Sequence, residues 1–184
     1  MKILVCVGTT EFRPLTEFCS QSKKLSNHEM TIQHGTATPS ENPFNFTMFK
    51  STDKFSQFVE QSDLIISHAA AGTRLDVISK FKPHIMICND TLAGNHQMEM
   101  VRANINNKSV RVFSNCVEFS KWLENADLEK ECNDMKKYIQ PKAEGEEQFK
   151  KLIEDVQKLP HKSNIGLMIV ALGFIIWVVA KILK

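Results

Sequence analysis

The chain has 184 residues, of which 42% are hydrophobic and 24% are charged, and its formal net charge is +2 at pH 7. This length and composition predict a single globular domain of average make-up. The near-neutral charge, without a stripe of Lys and Arg interleaved with aromatic residues, argues against a nucleic-acid-binding surface. The five cysteines are scattered and form no C-x-x-C pair, so reduced thiols are expected rather than a disulfide framework or a zinc site.

Short apolar runs alternate with amphipathic stretches along most of the chain. Strands are predicted at 3–7, 30–33, 46–49, 64–67, 85–88 and 110–113, and helices at 14–24, 54–60, 73–79, 95–103 and 117–123. This alternation predicts an α/β fold, with a mostly parallel sheet and helices on both faces. Ligands bind such sheets beyond the carboxyl ends of the strands. The turns at 8–10, 67–73 and 89–97 follow strand ends, so we expect them at one rim.

The segment from Ile66 to Thr73 couples a strand end, a turn of small residues and a helix start. The small side chains let the backbone approach a ligand, and the first helical N–H groups carry the positive end of the helix dipole. Such an end suits an anionic diphosphate. Thr73 would cap the helix or give its hydroxyl to a phosphate oxygen, and Asp76 lies within reach of a ribose hydroxyl. A plain strand-turn-helix connection is the alternative.

The helix that follows this turn is expected to be short. Its apolar residues Leu75, Val77 and Ile78 fit one face. Trp122, farther along the chain, is expected to be a packing residue.

Two histidines, His68 and His96, lie on the expected rim. Either could orient a phosphate or act as a general acid or base near neutral pH, and orienting its own loop is the alternative for His68. The other histidines belong to no cluster in the sequence and are expected at the surface or at strand edges. They are His28, His34, His84 and His161.

Beyond residue 127 the composition becomes strongly charged, which predicts solvated helices over 128–160. In the last of these the apolar residues have helical spacing, so that face would pack on the sheet or on a partner. They are Phe149, Leu152, Ile153 and Val156. Pro160 ends this region, and 161–164 form a short linker.

Residues 165–183 carry a single charge, Lys181. At about 1.5 Å per residue this stretch spans roughly 28 Å, close to a bilayer core of about 30 Å. We therefore predict a transmembrane tail anchor in preference to a buried core helix. Since the N-terminal strand lacks the features of a signal peptide, residues 1–127 would form a domain on the cytosolic side of the membrane.

Four motifs follow predicted strand ends in a fixed order. They are Val7-Gly8-Thr9-Thr10 with Phe12, Gln33-His34-Gly35, Ser67-His68-Ala69-Ala70-Ala71-Gly72-Thr73, and Asn89-Asp90-x-Leu92 leading into Asn95-His96-Gln97-x-Glu99. With these motifs, residues 2–112 resemble the C-terminal, donor-binding half of family 28 glycosyltransferases. Within that family, the resemblance is to the subunits of two-subunit transferases that act in dolichol-linked oligosaccharide synthesis.

The resemblance implies a catalytic subunit whose Rossmann-like GT-B half-domain binds UDP-N-acetylglucosamine. A membrane-anchored partner subunit would supply the other half of the cleft and hold the acceptor, dolichyl-diphosphate-N-acetylglucosamine. The implied reaction adds the second N-acetylglucosamine with inversion, at the cytosolic face of the endoplasmic reticulum membrane. The family's way of handling the leaving diphosphate, with a helix dipole and backbone N–H groups, implies no metal and no cofactor.

The resemblance also implies roles for individual residues. The donor-binding set comprises Gly8, Thr9 and Thr10 at the cleft border, Ala71, Gly72 and Thr73 at the diphosphate, Asp76 at the ribose, and Asn95 and Gln97 at the sugar hydroxyls. The catalytic base is expected on the partner, with His68 and His96 as the candidates on this chain.

Two positions depart from the family pattern. Ala70 stands where relatives have glycine, and its methyl group disfavours a positive φ. Asp76 is one methylene shorter than the usual glutamate, so its ribose contact would be longer or water-mediated. Two other functions stay open from the residues alone: transfer of a different UDP-sugar to a polyprenyl or exopolysaccharide lipid, and a non-catalytic membrane-tethered scaffold.

Overall fold

Six strands form one sheet in the computed structural model, which describes residues 1–91 and 96–139. They are β1 (Lys2–Cys6), β2 (Glu29–Gln33), β3 (Thr47–Phe49), β4 (Leu64–His68), β5 (His84–Ile87) and β6 (Val110–Phe113). Their order across the sheet is β3-β2-β1-β4-β5-β6, and all neighbours are parallel. The predicted strands are confirmed, and their ends differ from the prediction by one residue at most.

Within the described residues, helices lie in every connection between successive strands except the one between β2 and β3. They are α1 (Arg13–Gln21), α2 (Phe55–Gln61), α3 (Ala71–Ser79), α4 (His96–Asn104), α5 (Cys116–Asn125) and α6 (Leu128–Lys136), with a short 3-10 turn at Leu25–Asn27. The predicted alternation of strands and helices therefore holds except between β2 and β3, and α6 is the first part of the charged region predicted from residue 128.

The helices cover both faces of the sheet, as predicted. On one face Ile3 and Val5 of β1 pack with Phe119 of α5, in a cluster that also takes in residues of α1 and α6. On the other face Leu4 of β1 packs with Val77 of α3. Because both faces are covered, the strands have continuous apolar runs in place of an alternating pattern. Trp122 packs against the first of these clusters, as expected.

All five cysteines are free, in agreement with the expected reduced thiols. None of the helices within residues 1–91 and 96–139 has both the length and the apolarity needed to cross a bilayer. The predicted helical segment that contains Phe149, the linker at 161–164 and the transmembrane anchor at 165–183 lie outside the described residues, so they stay predictions.

The strand order determines where a ligand would bind. From β1 the chain proceeds to β2 and β3 on one side, and then crosses back to β4 on the other side. The carboxyl ends of β1 and β4 thus lie side by side where the direction of the sheet's connections reverses. Open parallel sheets have their ligand crevice at such a point.

Candidate functional site

A buried glutamine of β2 holds the turn that follows β1. Gly8 has a φ of +64°, in the left-handed region that glycine adopts readily. Gln33 donates a hydrogen bond from Nε2 to the carbonyl of Gly8 at 2.7 Å and accepts one at Oε1 from the Gly8 N–H at 3.1 Å. Both backbone polar groups of Gly8 are therefore paired, and the turn is fixed to β2.

This turn lies directly against the end of β4. A Cβ atom at Gly8 would lie 3.2 Å from Cε1 of His68. The hydroxyl of Thr10 donates to the carbonyl of Val7 at 2.9 Å, while Thr9 is exposed. Gly8, Thr9 and Thr10 thus border the crevice between β1 and β4, and their part in donor binding stays a prediction.

The helix α3 begins at Ala71, two residues before the predicted start at Thr73. Its N-cap is Ala70, with φ −102° and ψ 139°, and no side chain of the described residues caps the helix. The predicted cap by Thr73 is therefore wrong, and Thr73 is instead buried in the first turn. Because φ at Ala70 is negative, alanine replaces the family's glycine there without backbone strain.

The first backbone N–H groups of α3 come before its first helical hydrogen bond. The first backbone bond of the helix joins the N–H of Arg74 to the carbonyl of Ala70 at 3.0 Å. The amides of residues 71–73 come before this bond and have no capping side chain. A Cβ atom at Gly72 would meet no atom of the described residues within 4 Å, and both Ala71 and Gly72 are exposed. The arrangement suits an anionic group at the positive end of the helix dipole.

Asp76 lies about one helical turn beyond Thr73 in α3 and is half-buried. Partial burial raises the pKa of its carboxyl. Burial raises the pKa of the Cys6 thiol, and the charge of Asp76 raises it further, so the carboxylate lies near the end of β1. Asp76 is thus beside the crevice, and its ribose contact stays a prediction.

A buried asparagine connects the turn after β5 to the turn after β1. The side chain of Asn89 donates from Nδ2 to the carbonyl of Glu11 at 2.8 Å. Its backbone N–H donates to Oε1 of Gln97 at 2.8 Å. Gln97 therefore holds this turn through its oxygen, and contact with a sugar hydroxyl would fall to its NH₂ group. In their described parts, the three predicted turns therefore meet at one rim.

Two predicted site groups are outside the described part of the chain, namely Asn95 and the side chain of His96, so their roles stay predictions. Within the described part, no set of three or more His, Cys, Asp or Glu side chains could hold a metal ion.

His68 is buried at the end of β4. Burial lowers the pKa of its imidazole, an effect that the backbone of Cys6 partly offsets. Nδ1 has no hydrogen-bond partner among the described residues. A neutral ring packed against Gly8 favours the loop-orienting role for His68, while general acid or base catalysis stays a prediction.

The sequence did not predict a buried polar cluster beneath α3. His84 was expected at the surface or at a strand edge, but it is completely buried. Its Nε2 lies 2.7 Å from the hydroxyl of Ser67, and its Nδ1 lies 3.5 Å from Nη1 of Arg74. Leu75, expected on the apolar face of α3, is 53% exposed, whereas Arg74 is buried. The buried face of α3 is therefore rotated from the predicted one. The sequence feature that could have indicated a buried polar cluster was His84, a histidine at the start of the buried strand β5.

We expect acidification to destabilise the domain through its buried histidines. Burial lowers the pKa of His68 and His84 in the folded chain, so the unfolded chain takes up their protons first, near pH 6.5. Above that pH both histidines are neutral in the folded and the unfolded chain, so the free energy of unfolding is not reduced by their protonation. It falls on acidification by about 1.4 kcal/mol per pH unit for each histidine, until the lowered pKa is reached.

Urea denaturation from about pH 7.5 to about pH 5 measures this slope. The variant His84→Leu should show a shallower slope than the wild-type chain, whatever its overall stability. An identical slope in both proteins would contradict the assignment.

The sequence of this chain is similar to those of known proteins. The family model for the glycosyltransferase family 28 C-terminal domain matches residues 2–156. The UDP-N-acetylglucosamine transferase subunit ALG13 of Homo sapiens is 32% identical over 111 residues, which cover 54% of this chain and 10% of the human protein. The subunit of the same name from Mus musculus is 33% identical over 112 residues, covering 55% of this chain and 10% of the mouse protein. The chain thus spans about a tenth of the length of these relatives.

A solved structure supports the fold. The crystal structure of MurG from Acinetobacter baumannii aligns with a TM-score of 0.54 at 17% sequence identity, covering 86% of this chain and 50% of MurG. At this level of identity the similarity concerns the fold alone.

Proposed function

The chain belongs to the glycosyltransferase family 28 C-terminal domain family, and from that premise we propose that it is the donor-binding subunit of a UDP-N-acetylglucosamine transferase. The observation that carries the proposal is the start of α3 at the crevice between β1 and β4, where no side chain of the described residues caps the helix and Ala71 and Gly72 are exposed. The names of the human and mouse relatives support the choice of donor.

In the proposed reaction the acceptor hydroxyl attacks the anomeric carbon of the donor sugar, and the bond from that carbon to the β-phosphate oxygen breaks. Negative charge then develops on the leaving UDP. The amides of residues 71–73, at the positive end of the α3 dipole, would stabilise that charge. The proton of the acceptor hydroxyl would pass to a base on the partner subunit, since His68 is buried and burial lowers the pKa of its imidazole, which makes it a weaker base.

We also propose the acceptor and the place of action. The acceptor is dolichyl-diphosphate-N-acetylglucosamine, held by a membrane-anchored partner subunit at the cytosolic face of the endoplasmic reticulum membrane. The product is the chitobiosyl lipid with an inverted anomeric carbon. Residues 165–183 would anchor the chain in the same membrane, which raises its effective concentration at the partner.

The proposal predicts that transfer requires both subunits. Co-expression of the full chain with its membrane partner should give membranes that transfer labelled N-acetylglucosamine from UDP to a phytanyl-diphosphate-N-acetylglucosamine acceptor. Each subunit alone should give only background transfer, because each holds one half of the cleft. UDP-glucose and UDP-galactose serve as donor controls. Transfer by the partner alone, or equal use of all three donors, would contradict the assignment.

Removal of residues 165–184 is expected to release the chain from membranes, because the truncation deletes the apolar span. Fractionation of cells that lack the partner subunit measures this directly. A matched control replaces 165–183 with an unrelated apolar span and should sediment with membranes again. Sedimentation of the truncated chain with membranes in these cells would contradict the proposed anchor.

A further inference from the structure

A buried arginine lies behind the amides at the start of α3. Arg74 is only 6% exposed, although it is the fourth residue of the helix. Its Nε has no hydrogen-bond partner, and none of the ion pairs among the described residues includes it. Burial lowers the pKa of Arg74 to about 10, which leaves the guanidinium charged at neutral pH. The protein therefore buries a positive charge for which its described residues supply no carboxylate.

A chain of hydrogen bonds leads from Arg74 to the carbonyl of His68, and each group in it donates to the next. The hydroxyl of Ser67 has a single proton, which it donates to the carbonyl of His68 at 2.8 Å. Ser67 must therefore accept the bond from Nε2 of His84, at 2.7 Å. With its proton on Nε2, His84 has a lone pair on Nδ1, which accepts from Nη1 of Arg74 at 3.5 Å. We call Arg74, His84 and Ser67 the relay.

The relay ends at the turn that presents the α3 amides. The carbonyl of His68, its last acceptor, also accepts a hydrogen bond from the N–H of Ala70 at 2.8 Å. Ala70 is the N-cap of α3. Each donor in the relay points toward this turn, so the bond dipoles polarise one another and direct positive potential at it.

We propose that the relay is a positioning device for the diphosphate of the donor, with Arg74 as a fixed positive charge behind the α3 amides. The inference rests on the proposed function and adds a specific role for three residues. An unpaired buried charge destabilises the free domain, and a bound diphosphate supplies the missing countercharge. Arg74 acts through the turn and the field that it creates there, without touching the ligand.

The test compares Arg74→Met with Arg111→Met in the full chain, purified in detergent micelles. Both changes remove one positive charge, but Arg111 lies on β6 and pairs with Glu131. Titration calorimetry with UDP and with uridine separates recognition of the diphosphate from recognition of the nucleoside. We expect Arg74→Met to raise the Kd for UDP roughly tenfold, which corresponds to about 1.4 kcal/mol, and to leave the Kd for uridine unchanged. Arg111→Met should change neither constant.

Three further measurements test the relay and the charge at its start. Ser67→Ala keeps the charge of Arg74 but removes the last link, so it should raise the Kd for UDP by a smaller factor, roughly threefold. Nitrogen chemical shifts of His84 in the wild-type chain should show the proton on Nε2. Arg74→Met should melt at the same temperature as the wild-type chain or higher, because methionine removes the unpaired charge.

The outcomes are distinct. If Arg74→Met binds UDP as tightly as the wild-type chain, or loses uridine and UDP affinity equally, the inference is overturned while the proposed function stands. A proton on Nδ1 of His84 overturns it as well. If the wild-type chain gives no binding signal with UDP either alone or with its partner subunit, the proposed function is overturned and the inference with it.

Discussion

Replacement of Ala71 by proline is expected to weaken UDP binding by roughly 10- to 100-fold while the domain stays folded. Proline has no N–H, so the change deletes one of the three amides that we assign to the diphosphate. A hydrogen bond to a charged group contributes about 1.5–3 kcal/mol, and this range sets the expected loss. The first position of a helix tolerates proline, and the extended backbone of Ala70 (φ −102°, ψ 139°) is the one that a residue before proline prefers.

The matched control is Ala71→Ser, which alters the side chain at the same exposed position but keeps the N–H. Titration with UDP measures both variants, and urea denaturation shows whether each is as stable as the wild-type chain. Unchanged UDP affinity in the proline variant would contradict the assignment of the diphosphate to the start of α3. An equal loss in the serine variant would assign the effect to side-chain bulk and not to the amide.

Replacement of Gly35 by alanine is expected to lower the free energy of unfolding by about 3 kcal/mol, from the sum of a steric clash and an unfavourable φ. A Cβ atom at Gly35 would lie 2.4 Å from the carbonyl oxygen of Thr10 and 2.9 Å from that of Gly8, and its φ is +60°. Both contacts are with backbone, so no side-chain rotation relieves them. The turn after β1 would have to move, and the border of the crevice would move with it.

Gly72→Ala is the control for this prediction. Its Cβ would meet no atom of the described residues within 4 Å, and Gly72 lies in a helix, where alanine is favoured over glycine by up to about 1 kcal/mol. Urea denaturation of the full chain should therefore find this variant at least as stable as the wild-type chain. Gly35→Ala with wild-type stability would show that the two turns are not packed as closely as the structure has them.

Some of the fold and of the site could be predicted from local patterns. The strands were predictable because a parallel sheet covered on both faces requires continuous apolar runs, such as Leu64-Ile65-Ile66, whose ends are marked by small and polar residues. The turns at the rim were also predictable, because parallel strands bring their carboxyl ends to one edge of the sheet. The turn of small residues to which we assign the diphosphate was predictable because its small side chains are adjacent in sequence.

Residues that act through distant partners were not predictable in this way. Gln33 pairs with a glycine 25 residues earlier, and Asn89 pairs with a carbonyl 78 residues earlier. A sequence pattern shows that a residue is polar, but it does not show which backbone group the fold will bring within 3 Å of it. Both residues belong to the family motifs, yet their contacts became evident only with the strand order.

The sequence by itself determined the order of the elements, the buried strands and the rim at which a diphosphate could bind, because these depend on short-range periodicity and on side-chain size. Only the tertiary structure decided that α3 starts at Ala71 without a cap, and that it buries Arg74 while exposing Leu75. Docking of a short helix on a sheet fixes its rotation through contacts with several strands. Here Ser67 and His84, from two neighbouring strands, form the polar site that receives the arginine.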